Sequence, residues 1–414
     1  MKKLVSLILA IMMIAAVGAA FAATTTNDYS GVSQTTITGN SIPLVKSIVF
    51  FNPDNSYAVR EPNITYSYTI APADVTDATY TVNDGTNSAV VKDGVTGGVS
   101  ATATITFADT TTVTASSSGV VKEESANLTV TPTAFTAPGI YRYIINETTT
   151  KADVEAYGIA RDNDYVSSRY LDVYIRRNST TDAMELYGAV IFRNTTQNVS
   201  ITTASPTTKT EGFDTSVSSG YADDDYVDKY YTYNLEVGKT VSGSLADKNH
   251  DFPFSVTLTG TLTNAVTVDI SNTGSGTVAA TGSVSTTALT LSPSLSHGDK
   301  LTVKGIPSST TAAVTETNDT YDTYTATATV QSTAATLDND TTTKSIARST
   351  TAALKTAASI STSTANDSII FNNDITEVSP TGYVSRFAPY ALILIGGVAL
   401  LVIAMKKRKH TEED

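Results

Sequence analysis

The chain has 414 residues, a formal net charge of −13, three histidines, and neither cysteine nor tryptophan. The acidic balance excludes nucleic acid as a partner class and offers no basic surface for anionic lipid, since both select positive charge. Without cysteine there are no disulfides, and with so few histidines there is little material for a transition-metal or thiol site, so no cofactor or metal is expected.

In chain order, the first element is a leader. Lys2 and Lys3 precede an apolar run from Leu4 to about Val17, followed by Ala20-Phe21-Ala22. A basic start, an apolar core and small residues at a cleavage site predict a secretory signal peptide over residues 1–22.

Between residues 30 and 376 helical periodicity gives way to short alternating runs bounded by Gly, Asn, Asp and Ser. Examples are Ser100–Ala115, Gly139–Asn146 and Arg169–Arg177. Such runs read as half-buried strands, and a composition rich in Thr, Ser, Val and Tyr agrees, so an all-β fold of sandwich type is expected. The length is too great for one small sandwich. Domains are expected over 38–200 and 231–376, with the polar, acidic stretch 201–230 as the linker between them. The Thr- and Ala-rich piece 327–364 approaches low complexity and reads as a long excursion of the second domain.

Residues at i, i+2 and i+4 share one face of a strand. By that rule Ile42, Leu44, Ile48 and Phe50 share a face with Lys46, while Tyr141, Tyr143 and Ile145 lead to Glu147, and Val190 and Phe192 lead to Asn194. The second half repeats this order. Tyr233, Leu235, Val237 and Val241 flank Lys239, Ala312 and Val314 lead to Glu316, and Ile369 and Phe371 lead to Asn373. An inward lysine alone can guard an edge strand, and a terminal Asn or Glu can mark where a strand leaves the core. Two ordered triplets need a joint explanation.

The chemistry such a triplet permits is an intramolecular amide. Burial disfavours the charged lysine, leaving a neutral, nucleophilic amine, and a glutamate buried beside it is pushed toward its protonated form. That acid can polarise the Asn carbonyl and move protons as ammonia leaves, while contact in a dry core supplies the effective concentration.

The last element runs from Pro389 to Met405 without a charge and ends in Lys406-Lys407-Arg408-Lys409. About 17 apolar residues is near the lower limit for a spanning helix, and the basic cluster places its end in the cytoplasm. Residues 377–414 are therefore expected to form a membrane anchor, with everything between leader and anchor outside the cell.

The motifs GIYRYIINET, GIARDNDYVSSRYLDVYI and VIFRN, with Lys46 in IPLVKS, make the first half resemble the streptococcal major-pilin domain. LEVGKTVSG, LSHGDKLTVKGIP, AAVTET and FNN make the second half resemble collagen-adhesin B-type pilin domains. The resemblance implies two tandem Ig-like, collagen-adhesin B-type sandwiches on a Gram-positive surface. It also implies Lys46–Asn194 and Lys239–Asn373 isopeptide bonds, with Glu147 and Glu316 as catalytic acids. Asn372 is a rival acceptor that face parity disfavours. The tail extends the likeness. Val378-Ser379-Pro380-Thr381-Gly382 before the span resembles a variant sortase signal, which implies cleavage between Thr381 and Gly382 and a covalent link to peptidoglycan or to another pilin subunit. The leucine of such signals is absent.

The resemblance thus implies a structural protein, not an enzyme: a wall-anchored pilin or pilus-like stalk subunit with sortase as partner. Its alternative is a monomeric wall-anchored adhesin for a host or glycan ligand. No lysine lies between Lys151 and Lys209, where the likeness places a sortase acceptor; Lys151, Lys209 and Lys229 are the substitutes. Asp223–Asp225 and Asp338–Asp340 lack the spacing of a calcium loop, and Asn178 and Asn198 sit in glycosylation triplets that the composition alone produces.

Overall fold

A computed structural model describes residues 37–52, 58–75, 81–83, 88–193, 209–213, 227–308, 310–316, 324–331, 342–345, 351–354, 367–376, 390 and 392–405. The principal strands of the first half are β1 (Ser41–Phe51), β2 (Ile64–Pro72), β3 (Val120–Thr129), β4 (Gly139–Glu147), β5 (Ser168–Arg177) and β6 (Met184–Arg193). Those of the second half are β7 (Asp228–Ser242), β8 (Phe252–Thr259), β9 (Val266–Asn272), β10 (Lys300–Pro307), β11 (Thr311–Glu316), β12 (Thr325–Gln331) and β13 (Asp367–Asp374).

Alternation makes these strands. In β2, Ile64, Tyr66, Tyr68 and Ile70 are buried while Thr65 and Thr69 are exposed, the pattern of a sheet with one face on a core. An antiparallel sheet runs Lys209–Thr210, β6, β5, β4, β2 and Thr102–Phe107. Its inner residues Tyr66, Tyr143, Ile145 and Leu171 pack with Ile42, Leu44, Ile48 and Phe50 of β1 in the first core. In the second half, Leu235 and Val237 of β7, Val256 and Leu258 of β8, Val314 of β11 and Phe371 of β13 form a second core.

One strand belongs to both. β7 runs parallel to β1 over Asp228–Tyr231, then parallel to β13 over Leu235–Ser242. Successive side chains of a strand point to opposite faces. Tyr230 enters the first core from one face of β7, while Tyr233, Leu235, Val237 and Val241 enter the second from the other. The pairing of β7 with β10 shifts register between Tyr233 and Leu235, with the extra residue in β10 between Val303 and Ile306.

At this crossing point Asn52 donates to the Thr232 hydroxyl (3.0 Å) and the Asn234 carbonyl (3.3 Å), and the Gly305 N–H donates to the same Asn234 oxygen (3.0 Å). Arg60 pairs with Asp269 at 2.8 Å, and Leu262 and Val266 reach into the first core. The two halves are therefore packed together, not merely strung in series.

The stretch 201–230, expected as a linker, contributes Lys209–Thr210, Gly212–Phe213 and the start of β7, all paired with first-half strands. Acidic composition hides them because ladder bonds belong to the backbone, whatever the side chains. Within the Thr-rich piece 327–364, Thr342–Ser345 pairs with β12 and Thr351–Leu354 with β11. The leader, residues 377–389 and residues 406–414 lie outside the described residues. Residues 392–405 are helical, and among the described residues no helix is long and apolar enough to cross a membrane.

Asn234→Ala should cost about 1–3 kcal/mol, because it strips the buried Gly305 N–H of its acceptor. Urea unfolding followed by tyrosine fluorescence would measure it; an unchanged midpoint would show that the crossing point is not held by this network.

Candidate functional site

A lysine lies buried within each core. Lys239, on β7, is 1% exposed, and its amine lies 4.0 Å from the centre of the Phe252 ring. β11 ends by placing Glu316 against it, Nζ to Oε2 at 2.9 Å. On β13, Asn373 donates its Nδ2 to the other oxygen of Glu316 at 2.6 Å. The three predicted residues meet around one carboxylate.

The ladder explains how. β7 and β13 run parallel, with Lys239 opposite Phe371 and Val241 opposite Asn373. Side chains two residues apart share a face, so Asn373 projects beside Lys239 into the core. Asn372 takes the other face, where its carbonyl accepts from Thr240 at 2.8 Å and its amide donates to Ser242 at 3.2 Å. The Asn373 carbonyl oxygen is buried without a hydrogen-bond partner. An orphaned buried carbonyl beside an amine is a group that gains by reacting. Burial pushes the Lys239 amine down to about 8, against the opposing pull of Glu316. A substantial neutral fraction is thus present near neutral pH.

The first core holds a larger set. Lys46 is fully buried on β1, 3.4 Å from Glu147 at the end of β4. Its amine donates to the Tyr165 hydroxyl at 2.8 Å, and that hydroxyl donates to Glu147 Oε2 at 2.9 Å. Closer than Glu147 is Asp228, the first residue of β7, with Oδ2 2.8 Å from Lys46 Nζ. Arg161 donates Nε to Asp228 Oδ1 (2.7 Å) and Nη2 to Oδ2 (2.6 Å), while Nη2 also reaches Glu147 Oε1 (2.5 Å). Tyr66 donates to Asp228 at 2.9 Å, and Tyr68 to Glu147 at 3.4 Å. Burial pushes the Lys46 amine below its ordinary value, against Asp228 and Glu147. Burial also drives the Asp228 carboxyl upward, but Lys46 and Arg161 outweigh it and hold that carboxyl well below the usual carboxylate range. Tyr66, Tyr68 and Tyr165 are raised well above 10.0 by burial and stay neutral.

Of the predicted first-core set, Lys46 and Glu147 come together, and Asn194 lies outside the described residues, as do Thr381 and Gly382. Sequence reasoning missed Asp228 and Arg161. Asp228 opens the alternating series Asp228, Tyr230, Thr232 but sits in an acidic stretch read as linker; Arg161 comes from a loop, where no periodicity reports direction. Among the substitute acceptor lysines, the Lys229 side chain is only 6% exposed and lies 3.2 Å from Asp162, while the Lys151 side chain is 39% exposed beside Glu155 and Asn163. Among the described residues no cluster of His, Asp and Glu could hold a metal ion.

Residues 233–353 match the model of a domain of unknown function, DUF7601. No curated protein matches the chain. Among solved structures, the chain is similar to the major pilin of Streptococcus pyogenes, with 18% identity, a TM-score of 0.39, and coverage of 82% of this chain and all of that one. It is similar also to the major pilin protein T3.2 of Streptococcus pyogenes (19% identity, TM-score 0.40, 81% of this chain and 98% of that one). A pilus-presented adhesin matches over 51% of this chain and 38% of its own, at 17% identity and a TM-score of 0.25.

The buried Lys239 predicts a pH signature in the Asn373→Ala variant, which cannot react. Below about 8 the folded and unfolded states both carry the proton, and the burial penalty is in full force. Above about 8 only the unfolded state holds it, so stability rises with pH by about 1.4 kcal/mol per unit up to about 10, beyond which the buried tyrosines, raised well above 10.0, oppose the rise. Denaturation midpoints between pH 7 and about 10 would show the rise; a flat profile would mean that Lys239 is not buried as an amine.

Proposed function

We propose that this chain is a structural cell-surface protein, a pilin or pilus-like stalk subunit. Its second sandwich is locked by an isopeptide bond between Lys239 and Asn373, with Glu316 as the catalytic acid. The observation that carries this reading is the meeting of the three residues in a dry core, with the Asn373 carbonyl unbonded and the Lys239 amine partly neutral. Lys239 attacks the Asn373 side-chain carbon, Glu316 carries protons from nitrogen to the leaving amide, and ammonia departs. Proximity and a positioned acid supply the rate. Apart from this self-modification the chain performs no enzymatic reaction.

In this reading the Ig-like, collagen-adhesin B-type sandwiches 38–200 and 231–376 form a rod that leaves the cell behind the leader 1–22. A sortase cuts between Thr381 and Gly382 and passes the threonine carbonyl to peptidoglycan or to a lysine of another subunit. The burial of Lys229 favours Lys151 and Lys209 as acceptors; the second reading is a monomeric wall-anchored adhesin with a host or glycan ligand.

Boiled wall extracts probed for the chain should show a ladder of high-mass species that collapses to one band when Thr381-Gly382 is replaced by Ala-Ala. A single wall-linked band in the wild type would leave the monomeric adhesin. Loss of the crosslink in Asn373→Ala should lower stability by about 5 kcal/mol, the chain-entropy value for closing a loop of this size, measured by guanidinium unfolding at pH 7.

A further inference from the structure

Asp228 holds in the first core the place that Asn373 holds in the second. Asn373 lies on a parallel neighbour of β7, opposite the residue two beyond Lys239. Asp228 lies on a parallel neighbour of β1, opposite Ile48, which is two beyond Lys46. Both lysines are therefore met from the same side, at the same step of a parallel ladder, by a side chain carrying a carbonyl carbon. Lys46 and Asp228 are both fully buried, with Nζ 2.8 Å from Oδ2.

We propose that Lys46 is joined to Asp228 by an amide formed with loss of water, with Arg161 as the residue that polarises the acceptor carboxyl; this rests on the crosslinking chemistry proposed for Lys239. The Lys46 ammonium passes one proton through the Tyr165 hydroxyl to Glu147, along the 2.8 and 2.9 Å contacts. The free amine adds to Cγ of Asp228, and Arg161, which donates to both carboxyl oxygens, bears the charge that develops on them. A second proton from the nitrogen and the one held by Glu147 go to one of these oxygens, which leaves as water. Glu147 and Arg161 end as they began.

Charge bookkeeping explains why an arginine accompanies an aspartate here and no arginine accompanies the asparagine. Before reaction Lys46 and Arg161 face Glu147 and Asp228, two charges against two. Afterwards Arg161 faces Glu147, at 2.5 Å, one against one. A buried site stays neutral throughout only if the extra carboxylate is matched by a fixed cation. In the second core the acceptor is neutral, so Lys239 and Glu316 suffice.

The test is tryptic mapping of the full chain purified from its own cell surface. The peptide carrying Lys46 should be recovered uncleaved at Lys46 and joined to the peptide carrying Asp228. Asp228→Asn should give the same joined peptide at the same mass, because loss of ammonia from asparagine and loss of water from aspartate leave one product. Arg161→Gln should slow formation of this bond by about 100-fold while the peptide joining Lys239 to Asn373 forms normally. Adding Asp228→Asn to Arg161→Gln should restore the first bond, since a neutral acceptor needs no matching cation; a merely structural Arg161 would not be rescued so. A wild-type chain cleaved freely at Lys46, or one whose Lys46 is joined to Asn194, overturns the proposal if Lys239 remains joined to Asn373. Loss of both joined peptides overturns the crosslinking reading itself as well.

Discussion

A primary amine enclosed in an apolar core is the constraint on which the rest of the structure turns. A lysine with no exposed surface must find a carboxylate, lose its proton or react, since an unmatched buried charge costs several kcal/mol. Both sandwiches meet that demand with a glutamate at the end of a neighbouring strand, and both set a third group beside the lysine. Glu316 holds Lys239 and Asn373 on its two oxygens, and Glu147 shares Lys46 with Asp228 and Arg161. In a chain without disulfides, these polar centres bring strands distant in sequence together around a buried amine.

The second consequence is mechanical. β7 receives the first lysine's partner at its start and supplies the second lysine near its end, and the polar contacts of Asn52, Thr232 and Asn234 fix the crossing point between. With the two proposed amides in place, a load entering at β1 would pass to β7 through Lys46 and Asp228, and from β7 to β13 through Lys239 and Asn373. Neither sandwich would then need to unfold for tension to cross the chain. The proposed stalk requires this, and parallel pairing would put both proposed bonds across strands pulled in shear.

Much of this was legible in the residues. Period-two alternation with an intruding Lys, Glu or Asn identified five of the seven groups at the two centres, because the alternation of a strand fixes direction without any knowledge of neighbours. Face parity alone separated Asn373 from Asn372. Asp228 and Arg161 escaped for opposite reasons. Asp228 alternates correctly with Tyr230 and Thr232, but both faces of β7 are buried there, so apolar and polar residues do not sort by parity, and an acidic flank masks the run. Arg161 reaches the core from a loop, where side-chain direction is decided by tertiary contacts with Thr149, Glu147 and Asp228. The fold class was legible from composition and period; the sharing of β7 between two cores was not, since parallel partners are chosen by long-range packing.

The most direct test is the intact mass of the folded, purified ectodomain, residues 23–378, taken under denaturing conditions after folding is complete. Amide formation at both lysines predicts a mass lower than the sequence value by one ammonia and one water. Recovery of the full calculated mass would contradict the account, because it would mean that both buried amines remain free.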